Sequence, residues 1–168
     1  RLAGRLDLGE ASVTELLHPE GKSACFDFQR FVEAQSGGVH ERAVAELRSG
    51  RKQSHWMWFV FPQLTGLGHS AMAIRYGISG IDEARAYLAH PVLGARLREC
   101  AATLEALDPR HCAFGIFRSP DELKLRSSLT LFAQAAGPGS IFERLLAKYF
   151  NGQGDDLTLA ILQLQGRT

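Results

Sequence analysis

Residues 119–122, which read Ser-Pro-Asp-Glu, give the strongest structural signal in the chain. Serine at an N-cap, proline at the first helical position and glutamate at the third make a capping box, which satisfies free N–H groups at a helix start. An apolar-rich run follows to about residue 136, and a Gly-Pro-Gly sequence at residues 137–139 ends it. The sequence therefore predicts a helix over residues 119–136.

Most of the remaining chain also has apolar residues at helical spacing, whereas the alternation typical of strands is almost absent. We therefore predict an all-α fold, a compact multihelical single domain over residues 25–168. The other predicted helices cover residues 28–35 with Asp27 as N-cap, 40–49, 70–76 with Ser70 as N-cap, 82–89, 91–107, 140–150 and 155–163.

An uninterrupted apolar run at residues 56–61 contains both tryptophans of the chain. Six bulky residues in a row fit either a buried strand or a helix packed on all sides. Because no second strand is predicted to pair with it, we interpret the run as a helix. The indoles of Trp56 and Trp58 then point about 200° apart, so that one of them belongs to the core.

The composition excludes some classes of partner. The 168 residues carry 19 basic and 18 acidic side chains, a net charge of +1. A balanced charge gives no general attraction to nucleic acid or to a membrane surface, and no apolar run approaches the ~20 residues of a membrane span. Three unpaired cysteines indicate a reducing, cytoplasmic setting.

The chain begins at Arg1 rather than at a methionine. We expect residues 1–24 to be an N-terminal extension outside the helical domain, partly disordered or added to the natural sequence. They carry no functional argument.

Three polar residues are candidates for catalysis. His55 stands at the start of the aromatic run, and an imidazole with an ordinary pKa of about 6.5 suits acid–base chemistry. Asp121 and Lys124 lie one turn apart on the predicted helix. The histidines lack the paired spacing of a metal site, and we expect neither a metal nor a cofactor.

Six further residues are candidates for ligand binding: Trp56 as a stacking surface, Gln63 as a polar amide at the end of the run, Ser70 at a helix start after two glycines, Tyr76, and the pair Ser127 and Ser128 on the face of Asp121 and Lys124. We predict that they bind a small molecule, nucleotide-like or another polar metabolite, between the segment SHWMWFVFPQ and the helix SPDELKLRSS. Two alternatives remain: a hydrolase or N-glycosidase acting on nucleotide or ADP-ribose-type substrates, and a protein–protein interaction module with an unknown partner.

These segments together resemble a bacterial domain-of-unknown-function family, the one numbered eighteen-ten. It often carries the label "calpastatin" and is typified by a mycobacterial conserved hypothetical protein. The resemblance implies a multihelical single domain and no established activity. Calpastatin itself is a disordered, polar repeat protein, which this chain does not resemble. The matching pieces are residues 26–35, 54–70, 75–78, 87–97, 119–132 and 148–150.

The order of an aromatic helix, a helix YLAHPVLGARL and a later acidic stretch also resembles, more loosely, the NADAR group of NAD- and ADP-ribose-associated glycosidases. That resemblance implies Trp56, Asp121 and Lys124 around a ribosylated base. No motif matches residue by residue, and no catalytic role is carried over.

Overall fold

The computed structural model describes residues 25–167, and this part of the chain consists of helices joined by short connections. The prediction of an all-α fold is confirmed. The N-terminal extension over residues 1–24 lies outside the described residues. The helices are α1 Gln29–Ala34, α2 Val39–Arg48, α3 Met57–Val60, α4 Ala71–Arg75, α5 Ile81–Ala89, α6 Leu93–Ala106, α7 Ala113–Phe117, α8 Asp121–Ala136, α9 Ile141–Phe150 and α10 Asp156–Gln165.

Helix α8 forms the centre of the molecule, since it packs against α3, α5, α7, α9 and α10. Aromatic rings connect it to its neighbours: Phe132 on α8 lies 5.4 Å from Tyr87 and 5.6 Å from Phe142, between ring centroids. Tyr87 in turn meets Phe31 edge-on at 5.2 Å. Aromatic pairs in this geometry contribute about 0.5–1.5 kcal/mol beyond their buried area. Among the described residues, none of the helices combines the length and apolar character that a membrane crossing requires.

Several helix starts follow from the sequence. The side chains of Ser70, Ser140 and Asp155 each accept a hydrogen bond from the backbone N–H three residues further on, as N-caps do. The predicted starts of α4, α9 and α10 are therefore confirmed to within one residue.

The capping box at the start of α8 was wrong in detail. The helix begins at Asp121, Pro120 occupies the N-cap position, and no side chain bonds the free N–H groups. Instead, Arg118 adopts a left-handed φ of 62° and its carbonyl accepts the N–H of Glu122 at 3.0 Å. Backbone has replaced the side chain of Ser119 as the cap.

Two short helices differ from the prediction. Helix α1 begins at Gln29 after Phe28, so that Asp27 is not its N-cap. Helix α7 was not predicted, because its N-cap is Cys112, whose Sγ accepts a hydrogen bond from the N–H of Gly115 at 3.3 Å. Cysteine is not among the residues that usually signal a helix start.

The aromatic run is helical only over the single turn of α3. The chain then extends, and Leu64 forms an isolated parallel bridge with Ile78. The N–H of Ile78 donates to the carbonyl of Gln63, and the N–H of Thr65 donates to the carbonyl of Ile78, both at 2.9 Å. The run itself therefore has no strand partner among the described residues, and the bridge after it is too short to leave a periodic pattern in the sequence.

Candidate functional site

The segment that leads into the aromatic run is fixed by one carboxylate. Glu46, on α2, accepts hydrogen bonds from the backbone N–H groups of Gln53 and Ser54 at 2.8 and 3.0 Å and from the Ser54 hydroxyl. It also accepts the indole N–H of Trp56 at 2.8 Å. Burial by itself would raise the pKa of Glu46, but these four hydrogen bonds outweigh it and lower the pKa to about 2.

Lys52 ties the same segment to α7 and α8. Its N–H donates to the carbonyl of Ile116 at 2.8 Å, and its ammonium donates to the carbonyl of Ser54 at 2.6 Å. The ammonium also pairs with Oδ2 of Asp121 at 2.8 Å. The side chain of Lys52 is only 8% exposed, so this ion pair is shielded from solvent on the lysine side.

Asp121 joins two ammonium groups to the first turn of α8. While Oδ2 faces Lys52, Oδ1 pairs with the ammonium of Lys124 at 3.1 Å. That ammonium lies 4.6 Å from the centroid of the Trp58 ring, in cation–π distance. Lys124 therefore connects the acidic group on α8 with the half-buried indole of α3.

The Trp58 side chain and Lys124 belong to a narrow cleft between α3, α4 and α8, which we call the Trp58 cleft. It encloses about 210 Å³ of space, part of it open to solvent, and leaves no room for a water-sized sphere. In this conformation the cleft is closed. Its lining consists of Met57, Trp58, Phe61, Gln63, Ala73, Tyr76 and Lys124.

Two polar groups in the cleft lack protein partners in the described part of the chain. The side-chain amide of Gln63 makes no hydrogen bond with residues 25–167, although the residue is only 9% exposed. The hydroxyl of Tyr76 is likewise unbonded there, and the residue is 6% exposed. Both groups keep a solvent-accessible edge, because neither is among the fully buried polar atoms without a partner.

The structure thus brings three of the predicted site residues, Gln63, Tyr76 and Lys124, to one cleft, with Asp121 beside it. Trp58 supplies the aromatic face. Trp56 is 1% exposed and belongs to the core. The sequence indicated that one indole would be buried, but nothing in it showed which.

The other predicted residues lie outside the lining of the cleft. Ser70 caps α4, and the Ser127 hydroxyl donates to the carbonyl of Leu123 within α8 at 3.1 Å. Ser128 is 1% exposed and its hydroxyl has no partner among the described residues. His55 is exposed at the surface.

Sequence reasoning did not single out Glu46 or Lys52. The only signal for Lys52 was the cluster of basic and polar residues before the aromatic run, which reads equally as a solvated turn, and Glu46 reads as one of several charged residues on α2. Glu46 binds the segment before α3 from α2, and Lys52 binds residues of α7 and α8, and such tertiary pairings leave no trace in local spacing.

Residues 25–167 contain no group of three or more histidine, cysteine or acidic side chains placed to hold a metal ion. A wider groove, which encloses about 730 Å³ with part of it open to solvent, runs along α2 and α6 and is lined by Arg48, Glu99, Ala102, Thr103, Ala106 and Leu107. It is more open to solvent than the Trp58 cleft, and no aromatic side chain lines it.

Fold and cleft together define an all-α domain in which a lysine closes a small aromatic cleft. A family model described as "Protein of unknown function (DUF1810)" matches residues 25–162, and the chain belongs to this family. The resemblance drawn from the sequence motifs is confirmed.

The chain is similar to a solved structure, that of the conserved hypothetical protein Rv1873 from Mycobacterium tuberculosis. The two share 53% sequence identity and superpose with a TM-score of 0.79, over 82% of this chain and 97% of that one. No curated protein matches the chain. All residues of the Trp58 cleft lie within the range of the family match.

Proposed function

We propose that the protein binds a small polar metabolite with a flat ring, such as a nucleotide-like compound, in the Trp58 cleft. The observation that carries the proposal is the ammonium of Lys124 lying over the face of Trp58. This face of the indole is covered by a long, flexible side chain rather than by core residues. A planar ligand can take its place when the lysine moves.

Stacking on Trp58 would supply much of the affinity. A ring stacked on an aromatic side chain contributes about 1–3 kcal/mol, with little dependence on the identity of the ring. Met57, Phe61 and Ala73 provide apolar walls around the indole. Small-molecule sites have this character, mostly apolar with a few placed polar groups.

Gln63 and Tyr76 would supply orientation. The amide of Gln63 offers both donors and an acceptor, which suits the polar edge of a base, and the hydroxyl of Tyr76 can donate or accept. Both groups keep a solvent-accessible edge and no protein partner among the described residues, so that their hydrogen-bonding capacity is free for a ligand. The backbone bridge beside Gln63 holds its carbonyl in place.

A thermal-shift screen with nucleosides, nucleotides, NAD, ADP-ribose and common aromatic metabolites tests the proposal. A binder present at 100 times its Kd adds about 2.7 kcal/mol to the free energy of unfolding, which raises the midpoint measurably. Binders are then titrated calorimetrically against the wild type and against Trp58→Ala. Loss of the stacking surface is expected to weaken binding by about tenfold or more.

Phe114→Ala is the matched control, because Phe114 is an aromatic residue of α7 that is 54% exposed and does not line the cleft. It should bind as the wild type does. Equal affinity of Trp58→Ala and the wild type would place the ligand elsewhere. Silence across the whole panel would count against ligand binding and favour an interaction module.

The alternative function, a hydrolase or N-glycosidase, requires a catalytic acid or base in the cleft. Both carboxylate oxygens of Asp121 are paired with ammonium groups, and His55 does not line the cleft. Ligand binding alone explains the residues that line the cleft, and it requires no catalytic base. Incubation of each binder with the protein, followed by chromatography for released products, distinguishes turnover from binding.

A further inference from the structure

We propose that the Trp58 cleft selects flat-ring molecules that carry an anionic group, and that Lys124 is the residue that determines this specificity. The inference rests on the proposed function and names the class of ligand. Lys124 acts as a latch: it closes the cleft when no ligand is bound and pairs with the anion when one is.

The charge of the cluster favours an anion. Two ammonium groups, those of Lys52 and Lys124, share the single carboxylate of Asp121, with one oxygen for each. The nearby carboxylate of Glu46 is already engaged by two backbone N–H groups, a hydroxyl and the indole of Trp56. Glu46 stays ionised and offsets the second ammonium, but Lys124 is the one charged side chain in the lining of the cleft, so that the charge a bound ligand meets there is positive. A cationic ligand would be repelled by it.

The contacts of Lys124 explain why a neutral ring binds less well. To expose the face of Trp58, the ammonium must give up its cation–π contact, and Asp121 is its remaining partner. A ligand with a phosphate or carboxylate gives the displaced ammonium a new charge-assisted hydrogen bond. A neutral ring gives it none, so that the same movement is uncompensated.

Lys124 can make this movement without unfolding α8. Its side chain is 22% exposed, whereas that of Lys52 is 8% exposed and bonded to the carbonyl of Ser54 as well. Lys52 therefore stays with Asp121 while Lys124 exchanges partners. Asp121 remains neutralised in both states, which keeps the cost of opening low.

Fluorescence quenching tests the latch without any ligand. Trp58 is half-buried and reports on the cleft, while Trp56 is 1% exposed and gives an unquenched background. In Lys124→Met, Asp121 no longer holds the side chain at position 124 over the indole, and we expect quenching of Trp58 by acrylamide to increase. We also expect the preference for iodide over caesium to disappear, because the ammonium is gone. Trp58→Phe should remove the quenchable fraction altogether.

Arg126→Met is the matched control. Arg126 is a cation on the same helix, but it lies over the ring of Phe150 at 5.9 Å and donates to the carbonyl of Gln153. Its removal should leave the iodide preference at Trp58 unchanged. Circular dichroism and melting curves of both variants establish that α8 is intact.

Binding of matched probes tests the class of ligand. The pairs are adenosine and AMP, uridine and UMP, and benzamide and benzoate, each at millimolar concentration and scored by protection of Trp58 from acrylamide. In the wild type we expect the anionic member to bind about tenfold more tightly, as for a hydrogen bond to a charged group. In Lys124→Met this preference should disappear, whereas Arg126→Met, which retains Lys124 and its contacts with Asp121 and Trp58, should keep it.

The outcomes separate the two proposals. Equal binding of neutral and anionic members would overturn the selection of anions and leave ring binding in place. Equal quenching of the wild type by iodide and caesium, each relative to free tryptophan, would also overturn it, because the ammonium of Lys124 would then give the cleft no positive potential. If no member of any pair protects Trp58, both proposals fail.

Discussion

Among single residues, Glu46 has the largest number of partners for one side chain in the site. Its carboxylate holds the backbone at Gln53 and Ser54 and the indole of Trp56, so that α2 is joined to the segment preceding α3. The negative charge of Glu46 therefore stabilises the conformation of residues 53–56, at the start of the aromatic run. Because its pKa is lowered to about 2, the carboxylate stays ionised over the whole physiological range.

Glu46 makes the free energy of unfolding depend on pH in the acid range. A pKa that is lower in the folded than in the unfolded state contributes stability that is fully present above the ordinary pKa of 4.5 and lost as pH falls through about 2. We expect the free energy of unfolding of Glu46→Gln to depend less on pH than that of the wild type between these limits. At neutral pH the variant should be less stable by about 1–2 kcal/mol, since a neutral amide accepts fewer and weaker hydrogen bonds.

Urea unfolding at a series of pH values measures this difference. Glu41→Gln, an exposed residue of the same helix, is the control and should keep the pH dependence of the wild type. Parallel curves for Glu46→Gln and the wild type through the acid range would contradict the prediction.

At the scale of elements, the end of α6 depends on α9. The ammonium of Lys148 donates to the carbonyls of Leu104, Glu105 and Leu107 at 3.1, 2.8 and 2.5 Å, and the hydroxyl of Tyr149 donates to the carbonyl of Leu104 at 2.6 Å. The carbonyls at a helix C-terminus lack the usual donor four residues further on, although that of Leu104 also accepts the N–H of Leu107 at 3.4 Å, and a cation there suits the helix dipole. One lysine therefore fixes where α6 stops and how α9 lies against it.

Lys148→Met is expected to lower the free energy of unfolding by about 1–2 kcal/mol, because three carbonyls lose a charged donor. Arg144→Met on the same helix is the comparison: it removes an exposed ion pair to Glu105 at 2.6 Å and should cost less than about 1 kcal/mol. Chemical denaturation of both variants gives the ranking. A larger loss for Arg144→Met would show that the carbonyls are adequately satisfied by solvent.

The presence of most helices could be predicted from the sequence, because glycine, proline and capping residues are local signals. The start of α8 was not, since its cap is the carbonyl of Arg118 in a left-handed conformation that few residues other than glycine adopt. The site was predictable only in part. Gln63 and Lys124 belong to conspicuous motifs. Which of the two indoles lines the cleft could not be predicted, because Trp56 is held in the core by Glu46, ten residues earlier in the chain and on another helix.

For the whole molecule, stability is concentrated where α8 meets α5 and α9. Phe132 is fully buried and contacts Tyr87 and Phe142. We expect Phe132→Ala to lower the free energy of unfolding by about 3–5 kcal/mol, the cost of a cavity in a packed core. Leu123→Ala on the same helix, at a residue 56% exposed, should change it by no more than about 0.5 kcal/mol.

Denaturant titrations followed by circular dichroism and by tryptophan fluorescence measure both variants. The two probes should give one transition, because α8 contacts most of the surrounding helices and cannot unfold separately from them. Separate transitions would indicate that the helices around Phe132 form an independent unit.

The single bridge between Leu64 and Ile78 closes the chain from residue 65 to residue 77 into a loop with a fixed neck. This loop carries α4 with Ala73, and Tyr76, all of which reach the Trp58 cleft, while Trp58 and Lys124 belong to the frame outside it. We therefore expect that the loop can be exchanged between relatives while the Leu64–Ile78 bridge and the residues outside the loop are retained. Differences between relatives in the ligands that the cleft binds would then come from these thirteen or so positions. Grafting the loop from one relative onto another is the direct way to transfer its ligand specificity.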